Sequence, residues 1–80
     1  MDEITKALAK LPKEYRTTSD FLMLRLHARD FLGLNVSKLK GQKDIYRLKH
    51  GRIRIIFRMN REQLLVLQVG LRSEKTYRGI

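Results

Sequence analysis

The stretch Ile45-Tyr46-Arg47-Leu48-Lys49-His50-Gly51-Arg52-Ile53-Arg54-Ile55-Ile56-Phe57-Arg58-Met59 decides how this chain folds. Apolar and cationic residues alternate on both sides of a single glycine. A period of two is the signature of a strand, because successive side chains point to opposite faces. The spacing predicts one strand over Ile45 to Lys49 and a second over Arg52 to Met59. His50-Gly51 then forms a tight turn, with Gly51 supplying the positive φ that hairpin turns need. Downstream, Asn60-Arg61-Glu62 reads as the next turn and Gln63 to Leu71 as a third strand, rich in Leu and Val. Short turns between consecutive strands give an antiparallel meander.

Upstream of residue 41 the period is helical. Asp2 is a candidate N-cap for a first helix carrying Ile4, Ala7, Leu8 and Leu11. Leu11-Pro12 closes it and opens a second helix, predicted to run from Pro12 to Phe31 or Leu32. The stripe assigned to that helix is Tyr15, Leu22, Leu24, Ala28, Phe31 and Leu32. The weak formers Thr17-Thr18-Ser19-Asp20 mark a possible break, and Gly33 a left-handed cap. The expected architecture is α+β: an N-terminal helical hairpin packed on a three-stranded antiparallel sheet, residues 1–80 forming a single domain.

Alternation sorts the sheet into two faces. Tyr46 and Leu48, then Ile53, Ile55 and Phe57, then Leu65, Leu67, Val69 and Leu71 are expected to cover the helices. The opposite face displays Arg47, Lys49, Arg52, Arg54, Ile56, Arg58 and Gln68, with Arg72 if the last strand continues.

Charge points the same way. The 80 residues carry a formal net charge of +10. Residues 1–34 hold six Lys/Arg against five Asp/Glu, whereas residues 35–80 hold twelve against three. The excess therefore sits in the half that forms the sheet. Like charges on one face repel, and a polyanion removes that cost. Nucleic acid, an anionic membrane surface and an acidic protein all fit such a field. Arginine dominates it, and a guanidinium grips two phosphate oxygens at once. A polyphosphate chain such as a nucleic acid is the expected ligand.

The absence of Cys excludes disulfides and thiolate metal sites. His27 and His50, with no third ligand, make no metal site, so no cofactor or metal is expected. Neither a signal peptide nor a membrane span is expected, which places the chain in a cytoplasm. His50 reads as a turn residue, Tyr46 as core, and Asp44 and Glu74 as local charge partners.

The run Leu39-Lys40-Gly41, the strand pair Ile45 to Phe57, then Val69-Gly70-Leu71-Arg72 and Tyr77-Arg78, in that order and spacing, resembles the RelE/ParE toxin superfamily. Lys10-Leu11-Pro12-Lys13 fits its helix-hairpin entry. The resemblance covers nearly the whole chain. Its RelE branch implies the toxin of a prokaryotic type II toxin–antitoxin pair: an endoribonuclease that cuts mRNA on the ribosome and inhibits translation. It works there without a metal, through attack of a ribose 2′-hydroxyl on the adjacent phosphate.

Carried over by motif position, the implied catalytic set is Arg47, Lys49, Arg54, Arg72 and Tyr77. Arg54 and Arg72 would clamp the phosphate, and Lys49 or Tyr77 would move protons. Lys40, Lys43, Arg52, Arg58 and Arg78 are the further candidate RNA contacts. Implied partners are mRNA, the ribosome and a small acidic antitoxin, with operator DNA reached only through the toxin–antitoxin complex and no membrane. Two other readings stay open: a ParE-like inhibitor of DNA gyrase, and an inactive relative that retains RNA or antitoxin binding. The family usually opens with a strand ahead of the first helix, and this sequence opens at the helix. A three-stranded sheet with one uncovered edge is therefore expected.

Overall fold

The computed structural model describes residues 3–72. Two helices, α1 (Glu3–Lys10) and α2 (Lys13–His27), precede four strands: β1 (Asn35–Lys38), β2 (Ile45–His50), β3 (Ile53–Met59) and β4 (Leu64–Leu71). The strands form one antiparallel sheet in the order β1-β2-β3-β4. Asp2, the expected cap of α1, lies outside the described residues.

The fold class matches the expectation, but the sheet has four strands, not three. The additional strand is β1, paired to β2 from Asn35↔Lys49 to Lys38↔Tyr46. Only Val36 among its four residues is apolar, so no alternating pattern announces it. Short polar edge strands of this kind resist pairing with foreign chains.

Room for β1 arises because α2 stops earlier than Phe31. Ala28 caps it, and Arg29 takes a left-handed conformation at φ 56°. Arg29 N–H donates to Leu26 O and Asp30 N–H to Arg25 O, both at 2.9 Å. That is the paired pattern of a Schellman stop, with arginine where glycine is usual. The left-handed region costs a non-glycine residue about 1–2 kcal/mol. Arg25 offsets this by bonding both carboxylate oxygens of Asp30, at 3.2 and 3.3 Å, and also the Leu32 carbonyl. Gly33, at φ +77°, serves the following turn and not the helix end.

No break occurs at Thr17–Asp20. The Thr17 and Thr18 hydroxyls donate to the Lys13 and Glu14 carbonyls within the helix, at 3.2 and 3.1 Å. The buried stripe of α2 is Ser19, Leu22 and Leu26, flanked by Tyr15 and Met23. The expected stripe is therefore corrected: Leu24 and Leu32 are 70% and 84% exposed, and Ala28 is exposed as well. A serine at the centre of the true stripe disguised it.

The core lies between α2 and one sheet face. Leu11, Leu22 and Leu26 meet Leu48, Ile53, Ile55, Phe57, Val66, Val69 and Leu71. The Phe57 ring is stacked by Tyr46 at 5.6 Å and Phe31 at 6.4 Å between centroids. Each such side chain contributes about 1.5–3 kcal/mol on burial, against about 0.2–1 kcal/mol for a like-charge pair on the other face. The core therefore dominates, and the sheet tolerates a concentrated charge.

The β3–β4 register slips between Ile56 and Phe57: Ile56 pairs Gln68, but Phe57 pairs Val66. Leu67 is the extra residue of a bulge, and a bulge shifts the facing parity. Leu64 and Val66 accordingly turn to the core in place of Leu65 and Leu67, which are 48% and 40% exposed. This corrects the assignment of Leu65 and Leu67 to the buried face. The β2–β3 turn also moves by one residue, to Gly51-Arg52, with His50 paired to Ile53.

Candidate nucleic-acid interface

Three cross-strand rows build the sheet face turned away from α2. The first is Asn35–Lys49–Arg54–Gly70, the second Ser37–Arg47–Ile56–Gln68, and the third Ile45–Arg58–Leu65. Adjacent rows on one face stand about 7 Å apart, two residues along a strand. Lys49 and Arg54 are thus direct neighbours, and Arg47 lies one row on along the same strand as Lys49.

These cations are not loosely solvated. Arg47, Lys49 and Arg54 are all half-buried. Arg54 Nη1 donates to the Gly51 carbonyl at 2.6 Å and to the Ile53 carbonyl at 2.9 Å. The hairpin turn therefore fixes the Arg54 rotamer before any ligand arrives. Arg47 Nε is buried with no hydrogen-bond partner among the described residues. A buried unpaired donor costs about 1–3 kcal/mol, so folds seldom keep one without a use. Gly70 completes the first row without a side chain, and its backbone is buried.

The remaining expected residues divide. Arg58 is exposed on the same face, opposite Ile45 and Leu65. Lys40 and Lys43 are exposed in the β1–β2 loop at that end of the sheet. Arg72 is exposed just past β4, its N–H donating to the Arg52 carbonyl at 2.6 Å. The Arg52 side chain departs from the face. Its guanidinium lies 5.6 Å from the ring centroid of Tyr15 on α2, with Nη1 donating to the Tyr15 hydroxyl at 3.4 Å. Tyr77 and Arg78 fall outside the described residues. Among the described residues, no group of His, Cys, Asp or Glu is arranged to hold a metal. No helix among them is long and apolar enough to cross a membrane.

Sequence reasoning missed the apolar centre of this face. Ile45 and Ile56 are buried, at 7% and 4% exposure, yet neither belongs to the core beneath the helices. The signal was present: Ile56 interrupts the cationic positions Arg54 and Arg58, and Ile45 shares the parity of Arg47.

Fold and face together define an α+β domain with a cationic sheet surface on the side away from α2. That fold is shared with a chain in the crystal structure of the RelB–RelE antitoxin–toxin complex from Methanococcus jannaschii. The likeness has a TM-score of 0.76 at 22% sequence identity, and covers 90% of this chain and 87% of that one. The RelE-like α+β architecture read from the sequence is the one present. No protein-family model matches the sequence, and no curated protein matches it.

Proposed function

We propose that this chain is the toxin of a type II toxin–antitoxin pair and an endoribonuclease that cuts mRNA on the ribosome. The carrying observation is the row Lys49–Arg54 beside Arg47: three half-buried cations held together on the sheet face away from α2. The shared fold with a chain of an antitoxin–toxin complex supports the class. Basicity favours the toxin over the antitoxin role, since a net charge of +10 is the surface an acidic partner covers, not the partner itself.

The chemistry suits these side chains. A ribose 2′-oxygen attacks the adjacent phosphorus, the bond to the 5′-oxygen breaks, and a 2′,3′-cyclic phosphate remains. The 2′-hydroxyl proton leaves to a base, and the departing 5′-oxygen takes one up. Negative charge grows on the phosphoryl oxygens throughout, and fixed cations act most strongly there. Arg54, pinned by the turn carbonyls, is the preorganised half of the clamp, with Arg72 as its partner. Lys49 or Tyr77 moves the protons.

The test is a translation reaction with purified ribosomes and a defined mRNA. Cleavage within the reading frame is expected, leaving cyclic-phosphate and 5′-hydroxyl ends. Arg54→Ala and Arg72→Ala should each slow it by about 10²-fold or more, with circular dichroism unchanged. Intact mRNA accompanied by stalled DNA gyrase would replace this reading with the ParE-like one.

A further inference from the structure

The cationic rows end in a cavity of about 360 Å³. Its floor is Ile45 and Ile56, its apolar walls Leu39 and Leu67, and Gln42, Gln68 and Arg58 complete the lining. Its size falls in the range of small-ligand sites, about 300–1,000 Å³. The β1–β2 loop that builds one wall is tied down by backbone hydrogen bonds. Leu39 N–H donates to Ile45 O and Met59 N–H to Asp44 O, both at 2.9 Å, and Asp44 and Gly41 both take positive φ.

We propose that this cavity receives one nucleobase of the RNA strand whose phosphates lie on Arg47, Lys49 and Arg54. The inference rests on the RNA-cleavage reading above and deepens it. Three observations select a base as the occupant. The cavity adjoins the cationic rows directly, since Ile56 pairs Arg47 across β2–β3 and Gln68 across β3–β4. Its floor is apolar on a face otherwise cationic, which suits a flat ring. Its rim carries two glutamines, and the Gln42 carboxamide, exposed in its loop, sets a donor and an acceptor side by side, the pattern that reads a base edge. Single-stranded RNA is recognised in this way, with unstacked bases splayed out and bonded along their edges. An apolar side chain from a protein partner would use the floor but not the Gln42 carboxamide.

The test is fluorescence anisotropy with the full chain and labelled oligoribonucleotide hexamers, replacing nucleotides one at a time by abasic residues. One position is expected to cost about tenfold in affinity and the others little. Gln42→Ala and Gln68→Ala should shrink that penalty to about threefold or less, with the salt dependence of binding unchanged. Gln42 is exposed in its loop, so its substitution leaves the core untouched.

A flat abasic scan with steep salt dependence overturns the base pocket and leaves the RNA reading standing. A penalty that persists in both glutamine variants also overturns it, because the base is then read elsewhere. Absence of oligoribonucleotide binding at any salt overturns both readings. Loss of binding to an acidic amphipathic peptide in Gln42→Ala, with the abasic scan flat, assigns the cavity to a protein.

Discussion

Lys49 and Arg54 face each other directly across the β2–β3 pair, two cations on the same side of the sheet with no acidic residue in their row. Replacing one of them should relieve repulsion of about 0.2–1 kcal/mol. Lys49→Gln is therefore expected to melt at the same temperature as the parent chain or slightly higher, yet bind RNA more weakly. A thermal melt alongside an RNA titration checks this. A variant that loses stability and keeps full affinity would mean the pair serves the fold.

Affinity for single-stranded RNA should fall steeply with ionic strength, because each neutralised phosphate releases counterions, with a log–log slope of about −0.7 per contact. Removing one phosphate contact, as in Arg47→Gln, should flatten the slope by roughly one contact. Titrations across a salt series measure this directly. Identical slopes for the two proteins would take Arg47 out of the phosphate track.

The Ser19 hydroxyl is fully buried on α2 with no hydrogen-bond partner among the described residues. Ser19→Ala removes an unsatisfied donor and improves helix propensity. A gain of about 1 kcal/mol is expected, or about 4–8 °C in melting temperature for a domain of this size. A lower melting temperature would show that the hydroxyl is satisfied in solution.

Hydrogen bonding and attraction from Arg25 hold the Asp30 carboxyl below its ordinary value of 3.8. A depressed carboxylate stabilises the fold fully above that ordinary value, and the contribution is lost as pH falls through the folded one. The Schellman stop of α2 should therefore loosen in acid. Asp30→Asn should be less stable than the parent at about pH 6, and the two should converge towards about pH 3. Urea unfolding at both values tests it. Because Asp30 lies at the surface, added salt should shrink the difference.

The strand pair around Gly51 was legible to within one residue at its turn, because period two survives wherever strands are long and one face is buried. The cationic rows followed from the same parity. Three features were not legible, each for a physical reason. Ser19 occupies a core position and broke the apolar stripe of α2, so Leu24 was mistaken for an inward residue. The α2 stop uses Arg29 in a left-handed conformation, held by an Arg25–Asp30 contact that spans five residues and that no local propensity encodes. β1 has one apolar residue and acquires its identity only by pairing with β2. The cavity beside the cationic rows is likewise tertiary: Gln42 and Gln68 lie 26 positions apart and line it together only because the loop folds onto the sheet.

The bulge at Leu67 separates two inheritances within one strand. Leu64, Val66, Val69 and Leu71 answer to the core, whereas Leu65, Leu67 and Gln68 answer to the open face. Substitutions in the second group can accumulate without disturbing the first. Descendants of this chain are therefore free to drift in what they recognise while keeping the same folded body. Among related chains, the outward residues of β4 are expected to diverge faster than their inward neighbours.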